Sequence, residues 1–352
     1  MNPLDKLKGR KVLVTGGAGF IGSQLVRLLV EQGAFVIVVD NLYTGKRENL
    51  AGLPADQVEL HVVDLRDQAV MPELLKRVSI VYHLAALSVR HSLHSPYENH
   101  QVNAEGALRL LEMARHAGTI EQYVHVSTSE IYGTGSGDMT EDYPPRPNTV
   151  YGAAKLCGEM YALAYHLTYG FPAVVIRPFN AYGPRCHHEG DSGEVIPLFM
   201  LRCLSGKEMV IFGDGMQTRD FTYVEDTARG IMQAGVTPAC VGMILNLAYG
   251  KMVTINELAN IVADVVGVAP NIRHDPPRPG DTLYLLGDSS KAREVMGFEA
   301  RISLREGLTR LKDWYLSLGS TPEQMLQQSP VRNWEAGRRP PLPNYEWATY
   351  QD

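Results

Sequence analysis

Lys11-Val12-Leu13-Val14-Thr15-Gly16-Gly17-Ala18-Gly19-Phe20-Ile21-Gly22 is the stretch from which the fold follows. Its first five residues, rich in β-branched side chains, predict a short buried strand. Gly16, Gly19 and Gly22 come at once, and apolar Leu25, Val26, Leu28 and Leu29 then recur at helical spacing. A strand, a glycine turn and a helix in that order begin a dinucleotide-binding unit. The glycines permit a tight turn, close backbone approach to a pyrophosphate and close packing of helix on strand. A second apolar run, Phe35-Val36-Ile37-Val38-Val39, ends in Asp40-Asn41. A carboxylate about twenty residues beyond the glycines accepts hydrogen bonds from an adenosine ribose and repels a 2′-phosphate, which favours NAD over NADP. The plainer reading of Asp40 is a turn residue closing its strand.

Moving outward, Val58 to Val63 runs into Asp64-Leu65, and Ile80-Val81-Tyr82-His83-Leu84-Ala85-Ala86 reads as a buried strand whose small final residues leave room for a cofactor. Tyr123-Val124-His125-Val126 ends in Ser127-Thr128-Ser129-Glu130, as expected where a parallel strand stops and an active site begins. Strands alternating with helical patterns predict an α/β fold with a Rossmann-type doubly wound parallel sheet. Tyr151 and Lys155 lie four residues apart, one turn along a helix face. That spacing lets an ammonium depress the phenol's pKa from its usual value near ~10, making a base suited to taking a proton from an alcohol. Such pairs are also common on solvated helix faces.

The 352 residues suffice for one large α/β domain or two joined ones, and 45% hydrophobic with 20% charged residues is ordinary for a globular protein. A net charge of −6 supplies no basic footprint, so nucleic acid is not an expected partner. Cys157, Cys186, Cys203 and Cys240 show no metal-ligand spacing and read as free thiols of a reducing compartment. No run reaches the length of a signal peptide or membrane span, and a cytoplasmic location is expected. His187 and His188 sit side by side on a polar loop, where substrate or surface contacts are the ordinary reading and no metal is expected.

Together with the glycines, Ser127-Thr128-Ser129-Glu130-Ile131-Tyr132-Gly133 and Tyr151-Gly152-Ala153-Ala154-Lys155 resemble the extended short-chain dehydrogenase/reductase family of NAD-dependent nucleotide-sugar epimerases and dehydratases. The resemblance runs from about Lys11 to about Leu318. It implies an NAD-binding Rossmann domain over 1–178 and a smaller mixed domain over 179–320 that binds the nucleotide-diphosphate sugar, some of its segments returning to the first domain. The Pro- and Arg-rich tail of 321–352, including Arg338-Arg339-Pro340-Pro341-Leu342-Pro343, lies outside the family's common core, as a disordered end or an arm packing on a neighbour. For NAD the resemblance implies Gly16, Gly19, Phe20, Ile21, Gly22, Asp40, Asn41, Asp64, Leu65, Leu84, Ala85, Ala86, Tyr151 and Lys155. For the substrate it implies Arg90, Asn180, Arg185, Val195, Arg219 and Arg278, with the arginines suited to a diphosphate. The helix from about Tyr97 to Ala117 and the Tyr151 helix form a homodimer interface in relatives; monomer core explains the same apolar pattern equally well.

Family members oxidise the C4 hydroxyl of the sugar by hydride transfer to NAD and later return the hydride. By resemblance Tyr151 takes the hydroxyl proton, Thr128 binds the same oxygen, and Lys155 tunes Tyr151 and holds the nicotinamide ribose. Thr128-Ser129-Glu130 looks like the triplet of GDP-mannose-type 4,6-dehydratases, in which Glu130 takes the C5 proton before water leaves across C5 and C6. Serine at 129, where thymidine-diphosphoglucose dehydratases have Asp, is a poor acid and leaves the leaving-group acid open, with Glu130, once protonated, as one candidate by shuttling. Two alternatives share the frame. Ser88-Val89-Arg90-His91-Ser92 and Ile211-Phe212-Gly213-Asp214-Gly215 look more like 4-epimerases, and a UDP-glucuronate decarboxylase also carries Thr-Ser-Glu but needs an arginine for the sugar carboxylate. A non-catalytic NAD-binding protein fits poorly, because Thr128, Tyr151, Lys155 and the glycines are all kept. A 4,6-dehydratase is the expected activity.

Overall fold

A computed structural model describes residues 3–278, 281–327, 329–332 and 342–343, with the backbone alone at 3 and 191. Pro279 and Gly280 of the Arg278 loop and most of the tail from 333 onward, including Arg338 to Pro341, lie outside the described residues.

Seven parallel strands form the main sheet: β1 (Lys11–Thr15), β2 (Phe35–Val39), β3 (Val58–His61), β4 (Ile80–His83), β5 (Gln122–Val126), β6 (Ala173–Pro178) and β7 (Ile244–Leu247). Their order is β3-β2-β1-β4-β5-β6-β7, so the chain reverses direction across the sheet between β1 and β4. Such a reversal opens a crevice at the carboxyl ends of the strands. The last strand comes from beyond residue 178 and pairs in register with β6, Ile244 against Val175.

Alternation along each strand divides the core in two. Val12, Val14, Val36 and Val38 face one layer, where α1 (Phe20–Glu31) contributes Leu25, Val26 and Leu29. Leu13, Ile37 and Val39 face the other, against Leu110, Leu111 and Met113 of α2 (Gly106–Ala117) and Ala162 of α3 (Val150–Tyr169). Burial on both faces is why these strands read as continuous apolar runs. Val102, Leu111 and Met113 are thus monomer core, whereas Met160, Leu167 and Tyr169 of α3 are exposed, Leu167 at 83%. A separate cluster joins Phe199 and Met200 of α4 (Val195–Leu204), Leu258 and Val262 of α5 (Ile255–Val266), and Leu308 and Leu311 of α6 (Leu304–Ser317). The start of the tail packs on this cluster too. Thr321 and Gln324 form a capping box at α7 (Pro322–Leu326), whose Met325 and Leu326 are buried.

The single helix expected from Tyr97 to Ala117 is broken by a π-helical turn at Gln101–Glu105. Two side chains from this region hold the loop after β4: Leu87 N donates to Asn103 Oδ1 at 2.8 Å, and Asn99 Nδ2 donates to Ser88 O at 3.0 Å. The widened turn brings buried Asn99 and Asn103 to one loop.

Beneath the catalytic loop, Arg177 of β6 donates through Nε to Glu159 of α3 at 3.1 Å and through Nη1 to the Tyr132 hydroxyl at 2.7 Å. Tyr132 in turn donates to Asn246 of β7 at 2.8 Å. Arg177 and Glu159 are 2% and 0% exposed, so removing either partner strands a charge in the core. Glu159→Ala is expected to lower the unfolding free energy by about 3–5 kcal/mol, measured by urea denaturation.

Candidate active site

One cavity of about 480 Å³ lies along the carboxyl ends of β1, β4, β5 and β6. At one end Gly16 turns with φ +69°, and an added Cβ would lie 2.8 Å from the Ala85 nitrogen. At Gly22 a Cβ would lie 2.1 Å from the Gly16 carbonyl oxygen, so only glycine lets α1 start this close to β1. Phe20, Ile21, Leu84 and Ala86 line the same end, as does Gly19. Asp40 is buried and accepts from the backbone nitrogens of Ala18 and Leu42, both at 2.9 Å. Burial pushes its carboxyl up, and those two donors oppose the rise. Asn41 donates to Asp64 at 3.1 Å, and Arg66, absent from the sequence expectation, clamps Asp64 through Nε at 2.8 Å and Nη2 at 3.0 Å. Leu65 stands beside them in the wall. Bare glycine backbone, small Ala85 and Ala86 and carboxylates at the strand ends fit a dinucleotide.

At the middle of the cavity, Thr149 caps α3 by accepting from Gly152 N at 3.1 Å, which puts Tyr151 in the first turn. Gly152 lets that turn approach the preceding loop, since a Cβ there would come within 2.9 Å of the Glu130 carbonyl oxygen. Thr128 and Tyr151 share the wall here, and the Thr128 hydroxyl favours the ionised form of the phenol. Thr128 Oγ1 also accepts from Glu130 N at 3.2 Å. Ser127, Ser129 and Glu130 all line the wall, and no described residue bonds to the Glu130 carboxylate.

The spacing-based expectation for the phenol needs correction. Tyr151 is pushed up to about 12, first by burial and further by the charges of Glu130 and Glu194, with Thr128 opposing. Lys155 donates to the Val126 carbonyl at 2.6 Å and is itself lowered by burial to about 8. Desolvation, invisible in spacing, dominates at the phenol. A lysine whose folded pKa lies below its ordinary 10.5 destabilises the fold fully below about 8, and that penalty fades as pH rises through 10.5. Lys155→Met is therefore expected to melt at a higher temperature than the parent at pH 7. The difference should shrink from about pH 8 upward in a series of thermal melts.

The far end is built largely from residues beyond 178. Asn180 lines it with a buried Oδ1 that has no hydrogen-bond partner, and Val195 and Arg90 stand nearby in the wall. Asp281 joins two of the expected arginines, accepting from Arg219 Nη2 at 2.6 Å and Arg278 Nη2 at 3.0 Å. Arg185 is the one expected residue that does not reach this cavity. Its backbone adopts φ +69°, and its guanidinium donates to Gln24 of α1 beside a small separate hollow. Glu194 and Ser127 belong to the wall but were not anticipated. Among the described residues no three His, Cys, Asp or Glu side chains are grouped to hold a metal ion, and no helix is long and apolar enough to cross a membrane.

Residues 12–248 match the model of the NAD dependent epimerase/dehydratase family. The chain is 36% identical over 310 residues to the UDP-glucose 4-epimerase of Mycolicibacterium smegmatis, covering 87% of this chain and 98% of that one. An epimerase of Methanothermobacter thermautotrophicus superposes with a TM-score of 0.86 at 33% identity, covering 93% and 97% of the two chains. The dTDP-glucose 4,6-dehydratase of Streptomyces venezuelae, solved with NAD bound, gives 0.81 at 36% identity, covering 87% and 97%.

Proposed function

The chain belongs to the NAD-dependent epimerase/dehydratase family, and from that premise we propose that it is a nucleotide-diphosphate-sugar 4,6-dehydratase, oxidising the sugar at C4 and eliminating water across C5 and C6. The observation that carries this reading is Glu130, a carboxylate on the cavity wall that Thr128 and Tyr151 also line, close enough for its charge to act on the Tyr151 phenol and with no described side chain or backbone group occupying it. A carboxylate serving only to brace its loop would be engaged there, and the loop is braced instead by Thr128.

The cofactor is NAD. When bound, NAD accepts and returns the hydride and brings the positive ring against which the Tyr151 phenol can ionise. We assign the pyrophosphate to Gly16, Gly19, Phe20, Ile21 and Gly22, the adenosine to Asp40, Asn41, Asp64 and Leu65, and the central stretch to Leu84, Ala85 and Ala86. Lys155 holds the nicotinamide ribose. Tyr151 takes the proton of the C4 hydroxyl, Thr128 holds the same oxygen, and Glu130 takes the C5 proton that the C4 ketone acidifies. Asn180 and Val195 contact the sugar nucleotide, and Arg219 and Arg278, set side by side by Asp281, hold its diphosphate.

Residues 1–178 are assigned to the cofactor domain, 179–320 mainly to the sugar-nucleotide domain and 321–352 to a tail. Exposed Met160 and Leu167, seven residues apart on one face of α3, are assigned to a homodimer contact. The free cysteines suit a cytoplasmic setting.

The test is incubation of the protein with UDP-, GDP-, dTDP- and CDP-sugars followed by product mass. Loss of one water supports the proposal. An unchanged mass with a new chromatographic peak supports the second reading, 4-epimerisation, which the likeness to the Mycolicibacterium smegmatis enzyme favours. Loss of carbon dioxide from UDP-glucuronate would indicate decarboxylation, in which Arg90 of the cavity wall, rather than Arg185, would hold the sugar carboxylate.

A further inference from the structure

Elimination of water needs a proton for the departing hydroxyl as well as a base at C5, and the Ser129 hydroxyl is too weak an acid to supply it. Five carboxyl side chains line the cavity: Asp40, Asp64, Glu130, Glu194 and Asp281. Three are committed elsewhere, Asp40 to the Ala18 and Leu42 nitrogens, Asp64 to Arg66, and Asp281 to Arg219 and Arg278. Glu130 and Glu194 remain, and both act by charge on the Tyr151 phenol, where the C4 oxygen is placed.

Glu194 occupies the N-cap of α4, and its carboxyl makes no cap bond, as expected of a side chain longer than the Asp, Asn, Ser or Thr that usually cap, so it is left to the cavity. Its backbone is fixed at both ends, the nitrogen donating to His187 O at 3.0 Å and the carbonyl accepting from Leu198 N at 3.2 Å. The side chain is half-buried in the wall, with Arg90 and Tyr151 as the charged and titratable groups that face it from the cavity, and Cys186 and Tyr315 behind.

We propose that Glu194 is the second carboxyl of the reaction, the acid that protonates the departing C6 hydroxyl while Glu130 takes the C5 proton; this rests on the dehydratase reading above. The C5–H bond breaks with its proton going to Glu130 and its electron pair held as the enolate of the C4 ketone. The C6–O bond then breaks as the C4 carbonyl re-forms and that pair makes the C5=C6 double bond, with the proton of Glu194 going to the departing oxygen, which leaves as water. Hydride return to C6 and proton return from Glu130 to C5 complete the product, and solvent reprotonates Glu194. Burial pushes the Glu194 carboxyl up to about 7, against the pull of Arg90, so much of it carries a proton at neutral pH.

Glu194→Gln keeps the shape of the side chain and is the variant to test, with thermal melts as the check on folding. Water loss from a nucleotide sugar bearing a C6 hydroxyl is expected to fall about 10²–10³-fold, while exchange of the C5 proton with deuterated solvent continues. With fluorine in place of that hydroxyl, fluoride departs without needing a proton, and the variant should come within about tenfold of the parent. Water loss at the parent's rate would overturn the assignment and leave the dehydratase reading standing, and an equal deficit on both substrates would reduce Glu194 to a positioning role. A parent that removes water from no nucleotide sugar would sink the dehydratase reading, and this assignment with it.

Discussion

Tyr151→Phe is expected to lower kcat by about 10³-fold, equivalent to about 4 kcal/mol of transition-state stabilisation, while NAD stays bound. The phenol lines the cavity at its mid-point together with Thr128 and Glu130. Its loss removes the acceptor for the C4 hydroxyl proton and touches none of the glycine contacts at the pyrophosphate end. Ring volume is preserved, so stability should hold or rise, since a buried polar group pushed up to about 12 is replaced by hydrogen. Fluorescence of bound cofactor, thermal melting and single-turnover kinetics separate these consequences. An equal loss of NAD affinity would mean that Tyr151 mainly orders the cofactor.

Glu130→Gln is expected to divide the reaction at its middle. Oxidation at C4 depends on Tyr151 and Thr128 and should continue, so reduced cofactor and 4-keto sugar accumulate. Elimination should fall by about 10²–10⁴-fold, because the amide cannot take the C5 proton. Absorbance of the reduced cofactor and the mass of the bound sugar follow the two halves separately. Retained water loss would assign the C5 base to another residue and make Glu130 a wall residue only.

The parts of this site legible in the sequence are those encoded over short distances. The Gly16-to-Gly22 turn, the carboxylate closing β2 and the Tyr151–Lys155 pair each lie within one or two elements, where local geometry dictates placement. Features that depend on tertiary surroundings were hidden. Burial around Tyr151 reverses the pKa direction that its spacing from Lys155 implied. Arg185 has the residue type of a diphosphate ligand, but a left-handed backbone turns it to Gln24. Glu194 closes a polar loop before an apolar helix, and only its place in the wall sets it apart. The π turn at Gln101–Glu105 leaves no sequence mark beyond Asn99 and Asn103 at a spacing of four, common to any helix.

The most direct test of the dehydratase chemistry is turnover of a nucleotide sugar, deuterated at C4, in ordinary and in deuterated water, with the product read by mass and NMR. The expected product lacks one water and carries the C4 label at C6. In deuterated water it also takes one deuterium at C5, because the Glu130 proton exchanges before it returns. Recovery of the full substrate mass, with the label still at C4, inverted configuration there and no deuterium at C5, would contradict elimination and establish epimerisation instead.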